Sequence, residues 1–227
     1  MANEKMTAQM SSKGGFIAAL DQSGGSTPKA LQLYGIPESE YAGDEAKMFE
    51  LMHEARVRMM SSPAFTGAKV IATILFERTM DGEAKGKPVP SYLWEDRSVV
   101  PIVKVDKGLE ADKDGVQLMK PMPGLDALLA RAAKLGVFGT KMRSVINRAS
   151  KEGVAAIAKQ QFEFGDQIAG HGLVPILEPE VSIKAPDKAE AETLLLEALA
   201  KGLDGVPAGR QVMFKLTLPS KPDLYAP

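Results

Sequence analysis

The sequence predicts an α/β fold built on a parallel sheet that closes toward a barrel. Three observations carry this prediction. Short, nearly continuous apolar runs recur along the chain, longer stretches of helical periodicity lie between them, and charged residues of both signs stand where the runs end. Runs that are apolar at almost every position fit strands covered on both faces. Strand and helix in alternation imply parallel pairing through crossover connections.

The runs, in order, are FIAAL (16–20), VIATILF (70–76), VVPIVKV (99–105), VFGT (137–140), LVPIL (173–177) and VMFKLTL (212–218). Helical patterns occupy 44–60, 124–135, 150–169 and 188–201; around the last, Leu194, Leu195, Ala198 and Leu203 follow a helical period. An open doubly wound sheet and a closed barrel both satisfy this order. The open form would be favoured by a glycine-rich dinucleotide fingerprint after the first run, but the sequence there is DQSGGS, which lacks that spacing. No linker, low-complexity tract or repeat divides the 227 residues, so residues 1–227 read as one domain.

Composition narrows the chemistry. With 44% hydrophobic and 25% charged residues the chain is an ordinary globular one. Twenty-eight basic against twenty-nine acidic residues leave a net charge of -1, which gives no field to attract nucleic acid or an anionic membrane. With no cysteine, disulfides, thiolate nucleophiles and cysteine metal sites are excluded. The two histidines, His53 and His171, are far apart in sequence and read as a helix-surface and a turn residue rather than a zinc site. No signal-peptide core or membrane-length apolar run is present, so a cytoplasmic protein is expected. The sequence leaves a homo-oligomer open.

The charges at the run ends supply the candidate site. The first run ends at Asp21 and the second at Glu77; the third ends in Lys104, Asp106 and Lys107. Lys141 and Arg143 follow the fourth, Glu178 and Glu180 the fifth, and Lys215 lies inside the sixth. Because a strand alternates its faces, Lys104 and Asp106 share a side, as do Lys141 and Arg143, and Glu178 and Glu180. At the carboxyl-end rim of a barrel these pairs could face one centre; singly, each is also what a charged loop looks like. Lys215, between Phe214 and Leu216, is expected to be buried. Burial favours the neutral amine, the form that attacks a carbonyl, whereas an unperturbed lysine is neutral in only about one molecule in a few thousand at pH 7. A structural ion pair of Lys215 with Glu178 or Glu180 is the other reading.

The loop SGGSTPK places Pro28 at a helix start with Ser26 or Thr27 as its cap. Gly24 and Gly25 could turn backbone N–H groups toward an anion, with Ser23, Ser26, Lys104 and Arg143 completing a phosphate site. The same residues could form only a turn.

Taken together, FIAALDQSGGSTPKAL, ILFERTM, KVDKG, FGTKMRS, GLVPILEPE and VMFKLTLP resemble, in order and over almost the whole chain, class I fructose-bisphosphate aldolase in its bacterial form. The resemblance implies a (β/α)8 TIM barrel that reversibly cleaves fructose 1,6-bisphosphate, a sugar phosphate, to dihydroxyacetone phosphate and glyceraldehyde 3-phosphate without metal or cofactor. It implies Lys215 as Schiff-base former, Glu178 as proton donor and acceptor, Lys141 as the neighbouring cation, Asp21 as the group orienting amine and substrate hydroxyl, and Glu180 as a supporting carboxylate. Ser23, Ser26, Lys104 and Arg143 would hold the phosphate farther from the reacting carbonyl. The family continues through two further strands, bringing a Ser-Gly-Gly turn and an arginine that this sequence does not contain. About six strands are therefore expected here, with the first and sixth as edges. A Schiff-base barrel for another sugar phosphate, and a non-catalytic barrel serving as a binding or assembly module, are the alternatives.

Overall fold

The apolar runs form parallel strands in a computed structural model of the chain, which describes residues 4–23 and 26–226. The chain divides into two compact units. The described residues of the first lie within 4–104 and 131–138, those of the second within 105–130 and 139–226.

The first unit contains helix α1 (Glu4–Ser12), strand β1 (Phe16–Leu20), helices α2 (Thr27–Leu33) and α3 (Glu45–Met60), and strands β2 (Val70–Leu75) and β3 (Val100–Lys104). β1 pairs in parallel with β2, and β2 with β3, so β2 is central. All six of its residues are buried, as its unbroken apolar run requires. Asp44 starts α3 by accepting a hydrogen bond from the Lys47 N–H at 3.0 Å. The buried residues of α3, Met52, Ala55, Arg56 and Met60, fall at helical spacing and form one stripe. Met52 packs with Ala30, Leu31 and Tyr41 into an apolar cluster. The sequence reading did not anticipate α1. Its Gln9 amide donates to the carbonyls of Ile71 and Ser98, both at 2.8 Å, satisfying backbone groups where β2 and β3 begin.

In the second unit, strands β4 (Gly139–Ile146), β5 (Val174–Val181) and β6 (Met213–Phe214) pair in parallel in that order. The short strand Val116–Gln117 runs antiparallel to the end of β4. Helix α4 (Leu125–Lys134) begins in this unit and ends in the first, while α5 (Lys151–Gly170) and α6 (Lys188–Asp204) belong wholly to the second. Ser150 caps α5, its side chain accepting from the Gly153 N–H at 3.1 Å. Val154, Ile157, Val181, Ala191, Leu195 and Leu199 form the buried core, against which Phe162, Phe214 and Tyr225 pack. At Gly139 a side chain is excluded, because a Cβ there would lie 2.2 Å from the Val174 carbonyl oxygen.

Two strand boundaries differ from expectation for one reason. β4 and β5 run well past their apolar runs, so Lys141, Arg143, Glu178 and Glu180 stand inside strands rather than after them. Their charges pair with one another, which lets the ladder continue through residues that an apolar-run criterion rejects. β6 is shorter than its run, pairing only through Met213 and Phe214, and Leu218 beyond it is exposed. The two histidines serve structure. His53 Nε2 lies 3.0 Å from the Glu83 carbonyl, and His171, the residue after α5, sits 2.8 Å from an Asp126 oxygen. No helix among the described residues is long and apolar enough to cross a membrane.

Glu192 on α6 is a fully buried carboxylate paired with Lys188 and accepting from the Ser220 N–H at 2.8 Å. Burial pushes its carboxyl upward, but the Lys188 hydrogen bond, the Ser220 backbone and hydroxyl, and the Lys188 charge outweigh it and hold the group below its ordinary value. A depressed carboxyl contributes stability that is present above about pH 4.5 and lost as the pH falls through its folded value. Glu192→Gln should therefore flatten the fall of melting temperature as the pH drops below about 4.5. Thermal melts across that range test this, and an unchanged acid slope would contradict it.

Candidate active site

The strands of the second unit place three of the expected residues together. In the β4–β5 register, Lys141 lies opposite Ile176 and Arg143 opposite Glu178, so Lys141 and Glu178 are diagonal neighbours on one face. β5 and β6 match Leu177 with Phe214, and the next residue along each strand is Glu178 and Lys215. The Lys215 N–H continues the ladder to the Leu177 carbonyl at 3.0 Å. Glu178 consequently stands between two amines: Lys141 Nζ is 3.1 Å from Oε2, and Lys215 Nζ donates to Oε1.

Lys141 and Glu178 are both buried, at 4% and 3% exposure. A buried carboxylate is costly by several kcal/mol unless well paired, and two ammonium groups supply that pairing. Lys215 departs from expectation: its side chain is 45% exposed, not buried. It lies on the outermost strand of its unit, where the apolar character of VMFKLTL comes from residues packing to one side while water reaches the amine from the other. Of the two readings left open for Lys215, the ion pair with Glu178 is present. It does not oppose the nucleophilic reading, because the same contact puts a carboxylate oxygen able to accept the amine's proton beside the nitrogen.

One residue farther along the face, Arg143 and Glu180 form a two-pronged pair, Nε to Oε2 at 2.5 Å and the terminal nitrogen to Oε1 at 3.1 Å. The arginine expected to hold phosphate is thus engaged with Glu180, which holds its guanidinium above the ordinary arginine value through that hydrogen bond. The buried Asp106 fixes the backbone beneath it, accepting from the N–H groups of Arg143 at 3.2 Å and Gly108 at 3.3 Å.

In the first unit, Lys104 Nζ lies 3.5 Å from Ser23 Oγ. Ser26 Oγ donates to the Ser23 carbonyl at 2.9 Å and accepts from the Ser23 N–H at 3.1 Å, so Ser23, Ser26 and Lys104 come together. Gly24 and Gly25, expected to present N–H groups to an anion, lie outside the described residues. Pro28 enters α2 in its first turn, as expected, but Ser26 makes no side-chain cap bond. Glu77, the charge ending the second run, pairs with Arg131 at 2.5 Å.

Arg56 was missed. It is 2% exposed on the buried stripe of α3, donating to Thr79 Oγ1 at 2.8 Å and to the Gln22 carbonyl at 2.5 Å. Burial lowers its guanidinium to about 10, opposed by the charge of Asp21. Its position pins the turn that carries Asp21 and Ser23. The signal was available: an arginine at the apolar positions of MHEARVRMM. Among the described residues no group of three or more His, Asp or Glu is placed to hold a metal ion.

Parallel strands alternating with helices, with a lysine–glutamate–lysine cluster where neighbouring strands meet, place the chain among α/β proteins of the barrel type. Comparison with known proteins makes this particular. The family model described as "Glycolytic: Fructose-bisphosphate aldolase class-I" matches residues 3–201. The chain is 55% identical over 224 residues to fructose-bisphosphate aldolase class 1 of Synechocystis sp., covering 99% of this chain and 74% of that protein. Identity to the protein of that name from Porphyromonas gingivalis is 51% over 223 residues, covering 98% and 75%. Among solved structures, fructose-bisphosphate aldolase from Plasmodium falciparum, in complex with TRAP and a small-molecule inhibitor, superposes with a TM-score of 0.71 at 21% identity, over 94% of this chain and 63% of that one. This last likeness supports the fold alone, and the chain spans less than two thirds of that structure's length. The chain belongs to the class I fructose-bisphosphate aldolase family.

The double pairing of Glu178 has an energetic consequence. Replacing it by Leu leaves Lys141 buried beside a second cation, and should cost about 3–5 kcal/mol of stability. Lys141→Met should cost less, because Glu178 keeps Lys215. Urea denaturation of both variants measures this order, and a reversed order would contradict the arrangement.

Proposed function

We propose that the chain acts as a metal-independent Schiff-base aldolase that reversibly cleaves fructose 1,6-bisphosphate to dihydroxyacetone phosphate and glyceraldehyde 3-phosphate. The observation that carries the reading is the buried carboxylate of Glu178 held between the amines of Lys215 and Lys141. Membership of the aldolase family supports the substrate. A cytoplasmic location and a single-domain organisation belong to the same proposal; one family model spans residues of both compact units.

In this reading the Lys215 amine attacks the ketose carbonyl at C2, and a proton from Glu178 carries the carbinolamine hydroxyl away as water. The resulting iminium draws electrons from the C3–C4 bond as Glu178, ionised by the preceding step, takes the proton of the C4 hydroxyl. The aldehyde leaves, and an enamine remains on Lys215. Returning a proton to C3 and adding water frees dihydroxyacetone phosphate and restores the amine. Lys141 keeps positive charge against Glu178 while its protons move.

Glu180 would hold Arg143 in place until a phosphate competes for the guanidinium, and Asp21 would orient the amine and the substrate hydroxyl. Ser23, Ser26 and Lys104 would bind the phosphate remote from the reacting carbonyl; their mutual proximity in the first unit supports this.

Purified chain incubated with dihydroxyacetone phosphate and borohydride should gain a stable adduct. Lys215→Met should abolish the adduct while leaving the fold, and Glu178→Gln should slow turnover by about 100-fold or more yet still allow some trapping. A folded chain that gives no adduct would refute the reading, and complete loss of adduct in Glu178→Gln would refute that residue's role.

A further inference from the structure

β6 joins the ladder through Met213 and Phe214, the Lys215 N–H makes one more bond to Leu177, and pairing with β5 then ends. The nitrogen must nonetheless be aimed at Glu178, and a nucleophile misplaced by about 1 Å can lose about 100-fold in rate. Contacts on the carboxyl side of Lys215 bear on that aim.

Three side chains make contacts there, all within the second unit. Thr217 Oγ1 donates to the Val181 carbonyl at 2.8 Å, tying the chain to the end of β5. Lys188, in the first turn of α6, donates to the Leu218 carbonyl at 2.9 Å and lies 3.3 Å from Ser220 Oγ. Glu192, one turn later, pairs with Lys188 and accepts from the Ser220 N–H at 2.8 Å. Glu192 is fully buried although it lies outside the Lys141–Glu178–Lys215 cluster. A charged side chain in that position, fully hydrogen-bonded to the turn that follows the nucleophile's strand, is an expensive way to build a helix surface.

We propose that Lys188, Glu192 and Thr217 form a clasp that positions Lys215, closing the exit of β6 onto α6 and β5 so that the amine stays in register with Glu178. They are positioning residues: none lies in the cluster around Glu178, and each acts through the backbone on the carboxyl side of Lys215. The clasp also leaves the amine uncovered, since it grips the chain two to five residues beyond it rather than packing over the side chain. The inference rests on Lys215 being the nucleophile proposed above.

The test is the single-turnover rate of borohydride-trappable adduct formation with dihydroxyacetone phosphate, measured on the full chain at a temperature where circular dichroism shows each variant folded. Glu192→Leu should slow adduct formation by about 10- to 100-fold. Glu192→Gln keeps an acceptor for the Ser220 N–H, and should stay within about threefold of the parent rate at neutral pH. Thr217→Val, which is close in shape and leaves the helix untouched, should slow the same step by about 3- to 10-fold and serves if Glu192→Leu does not fold. A merely structural role would lower melting temperature without changing the rate in the folded protein. Parent-like rates in folded Glu192→Leu or in Thr217→Val would overturn the clasp, as would a Glu192→Gln rate as low as that of Glu192→Leu. If the unmodified chain itself forms no adduct, the aldolase reading fails first, and the clasp fails with it for a separate and recognisable reason.

Discussion

A carboxylate taken out of water between two amines is the constraint on which the second unit depends. Glu178 has almost no contact with solvent, so its charge has to be balanced by neighbouring strands. Lys141 does this from β4 and Lys215 from β6. The three strands therefore cannot slip against each other: a shift of one residue would turn Glu178 to the opposite face and leave both cations without it. Register, burial and acid–base chemistry are here the same requirement seen at three scales.

The two amines differ in exposure. Lys141 is enclosed, while Lys215 keeps nearly half of its side chain in water. Nearby, Arg143 and Glu180 repeat the pattern in a more exposed setting, where an anionic ligand can compete for the arginine.

Much of this was legible in the sequence, and the limits were physical. The order of strands and helices followed from apolar runs and helical periods, and β1 was read to the residue because its run is bounded by Gly15 and Asp21. β4 and β5 were read too short, because charged residues that satisfy one another inside a sheet look from sequence like the residues that end one. Lys215 was read as buried because its neighbours are apolar; sequence alone does not tell an edge strand from a central one. The stripe of α3 hid Arg56, whose partners are a backbone carbonyl and a threonine that no spacing rule links to it. The Glu192 contacts join residues about 28 positions apart, beyond any local pattern.

The account stands or falls on which of the two amines around Glu178 becomes covalently bound to substrate. After borohydride reduction in the presence of dihydroxyacetone phosphate, proteolysis and mass spectrometry can locate the added mass on a single lysine. The account predicts that the modification lies on Lys215 and that the peptide carrying Lys141 is unmodified. A modification on Lys141, with Lys215 untouched, would contradict it.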